Sequence, residues 1–386
     1  MKHLILFVVF GCSLAIQPVS AQKQQQPINI GASFLLVNPD ARSSGLGNAI
    51  TGITPDANAL CGNAAKLPFA GDWGVSASYS PWMRDLNDYE TNMTYVSAFK
   101  TWNGKESAGL SVKYFNYGEV TFRDDNGMEL QLYTPKEFSI DAAYARKLSD
   151  QFSLSVSLRY IRSELGNGTY NGQMQKPASA VAGDVAIYYQ GYADNLDYGN
   201  RYSWGLSITN LGSRLQYSDN SQRKSFLPMN LRIGGGYSFV HTDYHTFTLA
   251  ADINKLLVPT PPQYKLDDNN NPTTEIERGK DPNRGVVNAL FSSFTDAPGG
   301  FQEELREFSV ASGLEYAYQQ NFFVRAGYFY EHPHKGNRQH FSAGMGVSFS
   351  GIRVDAAYLM PTGTSLRQRK SFAFTITYGL SNQSGY

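Results

Sequence analysis

Cysteine is nearly absent from this chain: its 386 residues hold two, Cys12 and Cys61. Net charge is absent as well, with 33 basic residues against 33 acidic ones, which argues against a nucleic-acid partner. Beyond the first residues no run approaches the ~18 apolar residues that a membrane-spanning helix requires, and the mean hydropathy is -0.37. A helical membrane protein is thereby excluded. A β-barrel is not, because each of its strands shows lipid only every second residue. What is abundant is aromatic and small: 25 Tyr, 23 Phe and 36 Gly.

The opening residues MKHLILFVVFGCSLAIQPVSA combine a basic start, an apolar run from Leu4 to Phe10 and a Val19-Ser20-Ala21 cleavage pattern. They predict a secretory signal peptide over 1–21 and a mature chain beginning near Gln22. Cys12 lies inside the apolar stretch, so the later Ala21 site fits better than lipidation. Cys61 then stands alone, forms no internal disulfide and is expected as a small buried residue.

After the signal the dominant pattern is a period of two. In FSLSVSLRY, Phe152, Leu154, Val156, Leu158 and Tyr160 share one face, while Ser153, Ser155, Ser157 and Arg159 share the other. The same alternation runs through FTLAADIN, FSAGMGVSF and SFAFTITYGL. These runs exceed the five or six residues usual in a soluble sandwich. Marking them all predicts an all-β chain, a transmembrane antiparallel β-barrel of about 14 strands. The strands are expected to begin near residues 73, 94, 107, 137, 152, 180, 202, 230, 246, 305, 322, 339, 352 and 371. Short and long connections alternate, which places both termini on the periplasmic side and the long 258–304 loop outside. Trp73, Trp82, Trp102 and Trp204 are candidates for interfacial girdles. Arg159, Asp252, Asn254, Arg325, Arg353 and Asp355 fall on the inward face and predict a charged network across the lumen.

Searches for chemistry yield little. EHPHKGNRQH offers His332, His334 and His340, but histidines at strand ends around a loop need no metal, and none is assigned. DDNNNPTTEIER departs from a calcium loop, with Pro272 where the glycine belongs and Arg278 where the bidentate Glu belongs. GLGNAITG follows no strand and opens no helix of the dinucleotide type. No Ser-His-Asp arrangement with a strained nucleophile turn is present. The reading is no enzyme and no cofactor.

Residues 22–72 are rich in Gly and Ala and poor in strand pattern. Their ARSSGLGNA at Ala41 to Ala49 and Asn-Ala-Ala-Lys-Leu at Asn63 to Leu67 resemble the N-terminal hatch of FadL-like outer-membrane barrels, with Arg42, Gly45, Gly47, Asn48 and Asn63 as hatch residues. Small residues let a backbone pack inside a barrel already filled by inward side chains. Ala64 stands where relatives often carry proline, a departure from the family pattern at the hatch turn. A narrower resemblance rests on SFTDAPGGFQEELREF, SLRYIRS at 157–163, FLPMNLRIGGGY at 226–237, KLLVPTP at 255–261 and GYFYEHPHKGNRQHFS at 327–342. These are similar to the PorV (LptO) family of the type IX secretion system. The resemblance implies a barrel over 73–386 in a Gram-negative outer membrane. It also implies binding to the C-terminal signal domains of exported cargo, and transfer from the outer-membrane translocon to an attachment complex. There the PorU sortase would cleave the signal and link cargo to lipopolysaccharide. The alternative is a FadL-like channel for small hydrophobic molecules. An enzyme acting on lipopolysaccharide, which the LptO name suggests, finds no support in the residues.

The longest loop carries FSSFTDAPGGFQEELREF, 291–308. Its apolar residues fall at helical spacing on both sides of Gly299-Gly300, which predicts two short amphipathic pieces about an elbow. One reading has them cap the barrel mouth, with Glu303, Glu304 and Glu307 solvated. The other has them form a cargo-binding or partner-binding surface from Phe291, Phe294, Asp296, Pro298, Gly299, Gly300, Phe301, Glu303, Glu304 and Leu305.

Overall fold

The computed structural model describes residues 28–82, 91–123, 128–166, 168–170, 173–193, 199–218, 224–242, 244–362 and 370–380. The signal peptide, Cys12 and the cleavage site lie outside them. Fourteen antiparallel strands close into one barrel. They are β1 (Trp73–Pro81), β2 (Asn92–Trp102), β3 (Glu106–Asn116), β4 (Lys136–Lys147), β5 (Phe152–Glu164), β6 (Ala178–Tyr192) and β7 (Arg201–Gly212). The second half comprises β8 (Asn230–Thr242), β9 (His245–Leu256), β10 (Phe308–Tyr318), β11 (Phe322–Tyr330), β12 (Gln339–Phe349), β13 (Ile352–Pro361) and β14 (Ser371–Leu380). The closing seam pairs β1 with β14, from Trp73 opposite Leu380 to Tyr79 opposite Phe374. Closure leaves no unpaired edge, which a chain in hydrocarbon cannot tolerate.

The predicted alternation is realised with its polarity inverted relative to a soluble protein. On β5, Leu158 is 62% exposed and Arg159 only 6%. Val156 and Tyr160 face outward with Leu158, while Ser153 and Ser155 are buried. The greasy face meets lipid and the wet face meets the filled interior, so register follows from the parity of the pattern.

Strand starts agree with the expected ones to within three residues. The largest departures are at β10, which begins at Phe308 because Phe301–Leu305 forms a helical turn, and the long connection therefore runs over 257–307. At one end of the barrel the turns among the described residues are tight: 103–105, 148–151, 319–321 and 350–351. Asn103-Gly104 and Ser350-Gly351 place both central residues in the left-handed region, the twist that a two-strand hairpin favours. The other end carries the longer loops. Three of these hold hairpins of their own, at 120–123 with 129–133, at 168–170 with 173–175 and at 263–266 with 272–278.

The aromatic girdle is clearest at the tight-turn end. Trp73 meets Tyr378 edge-on at 5.3 Å, and Tyr189 stacks on Trp204 at 5.7 Å. Trp82 is a correction. It lies at the opposite end and packs against Phe115 at 5.4 Å beside the inserted N-terminal segment.

Candidate functional site

Residues 28–72 run through the lumen as a chain of short helical turns. Three of the four start at a capping side chain; the turn at Ser33–Leu36 follows Ala32 and has none. The Asp40 carboxylate accepts from Ser43 N at 2.8 Å and opens α1 (Ala41–Gly45). Asp56 accepts from Asn58 N at 2.9 Å ahead of the turn at Ala57–Cys61, and Asn63 accepts from Ala65 N at 3.0 Å ahead of Ala64–Phe69. These are the residue types that satisfy the free N–H groups of a first turn. Ala64 sits at the first position of its turn, where a missing N–H would be harmless, so exchanging proline for alanine there leaves the cap intact.

The segment is welded to the wall. Arg42 donates twice to Glu315, at 3.1 and 3.2 Å, and to Asp56 at 3.0 Å. Glu315 also accepts from Arg325 at 2.6 Å, and Arg325 faces Asp355 at 2.9 Å. Asp252 accepts from Ile50 N and Thr51 N at 2.9 and 2.8 Å, and the Asn63 amide donates to Ile187 O at 2.9 Å. Gly45 lies against the Gly344 backbone. Gly47 has a φ of 66°, and a Cβ there would stand 2.5 Å from Tyr328 N. Asn48, also left-handed, reaches His340 at 3.5 Å.

The expected single network is thus two. One joins Arg42, Asp56, Glu315, Arg325, Arg353 and Asp355. The other joins Asp141, Arg159 and Asp184, lower-numbered strands away. Glu315 and Asp56, the carboxylates that hold Arg42, escaped sequence reading because charge pairing across the lumen leaves no local pattern. Cys61 corrects a second expectation: it is half-buried, with Sγ 3.5 Å from the Lys113 ammonium.

The long connection 257–307 carries α2 (Val286–Ser292) and α3 (Phe301–Leu305), joined by an elbow in which Gly300 has a φ of 68°. Ala289 and Leu290 pack on Phe226, Met229, Leu257 and Val258. The acidic residues are not solvated as one reading had them. Glu304 and Glu307 are buried and accept from the Lys255 ammonium at 3.1 and 2.6 Å, and Lys335 donates to Glu307 at 2.9 Å and Glu303 at 2.6 Å. Thr260 adds a donor to Glu307 at 2.6 Å. Glu304 also accepts from Ala297 N at 2.9 Å, and Glu303 from Gly299 N at 2.6 Å. Asp296 is buried, and desolvation, then the neighbouring Glu304 and Glu307, raise its carboxyl to about 6. Pro298 is half-buried between these anchors.

Anchored this way, the loop leaves its large apolar side chains outside. Phe301 is 76% exposed and Phe291 72%, with Phe294 and Leu305 exposed beside them. The loop therefore divides into a charged root and an apolar ridge. Lys255 and Lys335, which build the root with the loop's own Thr260, come from other parts of the chain, and only the acidic half of it was visible in sequence.

The solved structures that resemble this barrel include the toluene transporter TodX of Pseudomonas putida (13% identity, TM-score 0.51, covering 87% of this chain and 96% of that one). The CymD monoaromatic hydrocarbon channel is similar at 12% identity and a TM-score of 0.52, covering 90% and 98%. At such identities the likeness concerns the fold alone, a β-barrel. No curated protein matches the chain. The family model described as type IX secretion system protein PorV matches residues 20–263, more than half of the chain. With its closed 14-strand barrel and inserted N-terminal segment, the chain belongs to the PorV family, outer-membrane proteins of the type IX secretion system.

Proposed function

We propose that the protein is a non-enzymatic cargo shuttle of the type IX system. It binds the C-terminal signal domains of exported proteins at the apolar ridge of its long loop and carries them from the translocon to the attachment complex that holds the PorU sortase. The tight turns and the C-terminus face the periplasm; the ridge faces outward. The observation that carries this reading is the pairing of a rigidly rooted loop with unburied Phe291, Phe294, Phe301 and Leu305. A large exposed apolar group on an ordered surface costs free energy unless a partner covers it.

A channel for small hydrophobic molecules is the runner-up, since the similar solved structures are described as such channels. It is disfavoured by the welded lumen. A cleft beside the hatch measures about 110 Å³, below the ~300 Å³ of ordinary ligand pockets.

Phe301→Ala and Phe294→Ala, in barrels that assemble at wild-type levels, test the reading. A few buried aromatics carry most of an interface, so each should cost ~2 kcal/mol or more, about 30-fold in affinity, and the signal-domain cargo recovered with the barrel should fall. Unchanged cargo with both variants would reduce the ridge to a lid.

A further inference from the structure

The inserted segment begins at the long-loop mouth of the barrel. Ile28 and Ile30, its first apolar residues, pack into the cluster of Phe226, Met229, Leu257, Val258 and Ala289, which Val286 and Leu290 also join. Phe226 and Met229 precede β8, Leu257 and Val258 follow β9, and Ala289 belongs to α2, so this cluster is the seat of the helix that carries Phe291. Backbone pairing fixes the segment there: Ile30 bridges Phe226 in parallel, and Gly31 N donates to Phe226 O at 2.8 Å. A Cβ at Gly31 would stand 2.9 Å from Leu215 Cδ1 and 3.1 Å from Ser225 Cβ, so the passage has no slack. Phe34, buried, and Leu35 then join Met93, Phe115 and Ile161 on other strands of the wall. The segment therefore crosses the mouth from β8 and β9 to β2, β3 and β5 before Arg42 of α1 fastens to Glu315.

We propose that residues 28–35 are a strap that ties α2 to the hatch, and that the mature N-terminus emerges beside the apolar ridge. With cleavage after Ala21, only Gln22 to Pro27 precede Ile28, and they reach at most about 20 Å when extended. The apolar band of a barrel is ~25 Å tall, and the hatch occupies the lumen beyond the strap, so these residues do not return to the tight-turn mouth. The last strand ends at that mouth, with Leu380 opposite Trp73. The two termini thus lie at opposite mouths, although the alternation of loop lengths by itself places them together. Whatever grips the ridge bears on a helix whose apolar seat includes the first residues of the plug, and loosening either one exposes apolar surface of the other. The coupling deepens the docking reading and rests on it for the partner alone.

The test uses the full-length barrel in detergent, with Cys61→Ser so that only introduced cysteines carry label. Spin labels at Lys23→Cys and Asn288→Cys should lie closer together than labels at Lys23→Cys and Gln320→Cys; the reverse order overturns the placement of the N-terminus. Ile30→Ala should speed amide exchange in α2 about tenfold and leave β3–β6 unchanged, because truncating an isoleucine removes packing that the helix shares. If Ile30→Ala does not assemble, Ile28→Ala, at the half-buried end of the strap, should give a smaller change of the same sign. Exchange in α2 at the wild-type rate in an assembled strap variant overturns the coupling. Neither readout involves cargo. Cargo retained in Phe301→Ala would therefore remove the docking partner and leave the strap, whereas a failed strap leaves the ridge as it is.

Discussion

Arg42 shows how one residue holds the inserted segment to the barrel. It is buried, and its guanidinium satisfies two carboxylates, Glu315 and Asp56, besides the carbonyl of Thr54 at 3.0 Å. Removing one partner of a buried ion pair costs about 3–5 kcal/mol because the other charge stays buried and unpaired. Arg42→Met should therefore free the hatch while the strands persist. Hydrogen exchange should speed up at residues 41–65 and stay unchanged in β3–β6; equal protection in both proteins would mean that the weld is carried elsewhere. Gly47→Ala should act in the same direction, since a side chain at φ 66° meets the Tyr328 backbone. The glycine and the arginine were both legible as hatch residues. Their partners were not, because Glu315 and Tyr328 lie more than 250 positions away and no local spacing records such a contact.

At the scale of an element, the long loop has a root whose chemistry makes its closure pH-dependent. Asp296 has a carboxyl raised from 3.8 to about 6, so the closed root binds that proton more tightly than the open one. The sign follows from linkage: this group's contribution is fully present below about pH 4 and is lost as the pH rises through about 6. Glu303 acts oppositely. Partial desolvation favours its neutral form, but Lys335 holds the carboxyl below its ordinary 4.5, so its contribution is lost only as the pH falls below that value. Between pH 5 and 7.5 Asp296 is the root carboxyl that titrates, opposed by His332, whose imidazole is held below its ordinary value by burial, then by Arg306, His334 and Lys335. Exchange of the amides at 297–305, corrected for intrinsic rate, should be slower at pH 5 than at pH 7.5, and Asp296→Asn should flatten the difference; a slope of the opposite sign would exclude this role. Two helical pieces about a Gly-Gly elbow were readable from spacing. That their glutamates turn inward was not, because Lys255 and Lys335 arrive from β9 and from the loop after β11.

For the whole molecule, the orientation in the membrane is the open question with the most direct test. Cysteine placed at Asn270, the tip of the 263–278 hairpin, should be labelled in intact cells by a bulky polar maleimide, and cysteine at Gln320 in a tight turn should not. The reverse pattern would turn the barrel over. Native Cys61, half-buried inside the barrel, should react more slowly with the same reagent than a cysteine at Asn270; equally fast modification would mean a lumen more open than the packing implies.

The period of two, read with the absence of a long apolar run, was enough to determine strand number, strand positions and which face meets lipid. The physical reason is that a barrel strand must alternate to satisfy two solvents at once, and that constraint is written locally, residue by residue. Tertiary structure alone decided how the interior is filled: the split of the lumen charges into two networks, the half-exposure of Cys61, the inward turn of Glu304 and Glu307, and the bare Phe291 and Phe301 above them. Each of these depends on which side chains closure brings face to face across the lumen, and parity along one strand holds no information about the strand opposite.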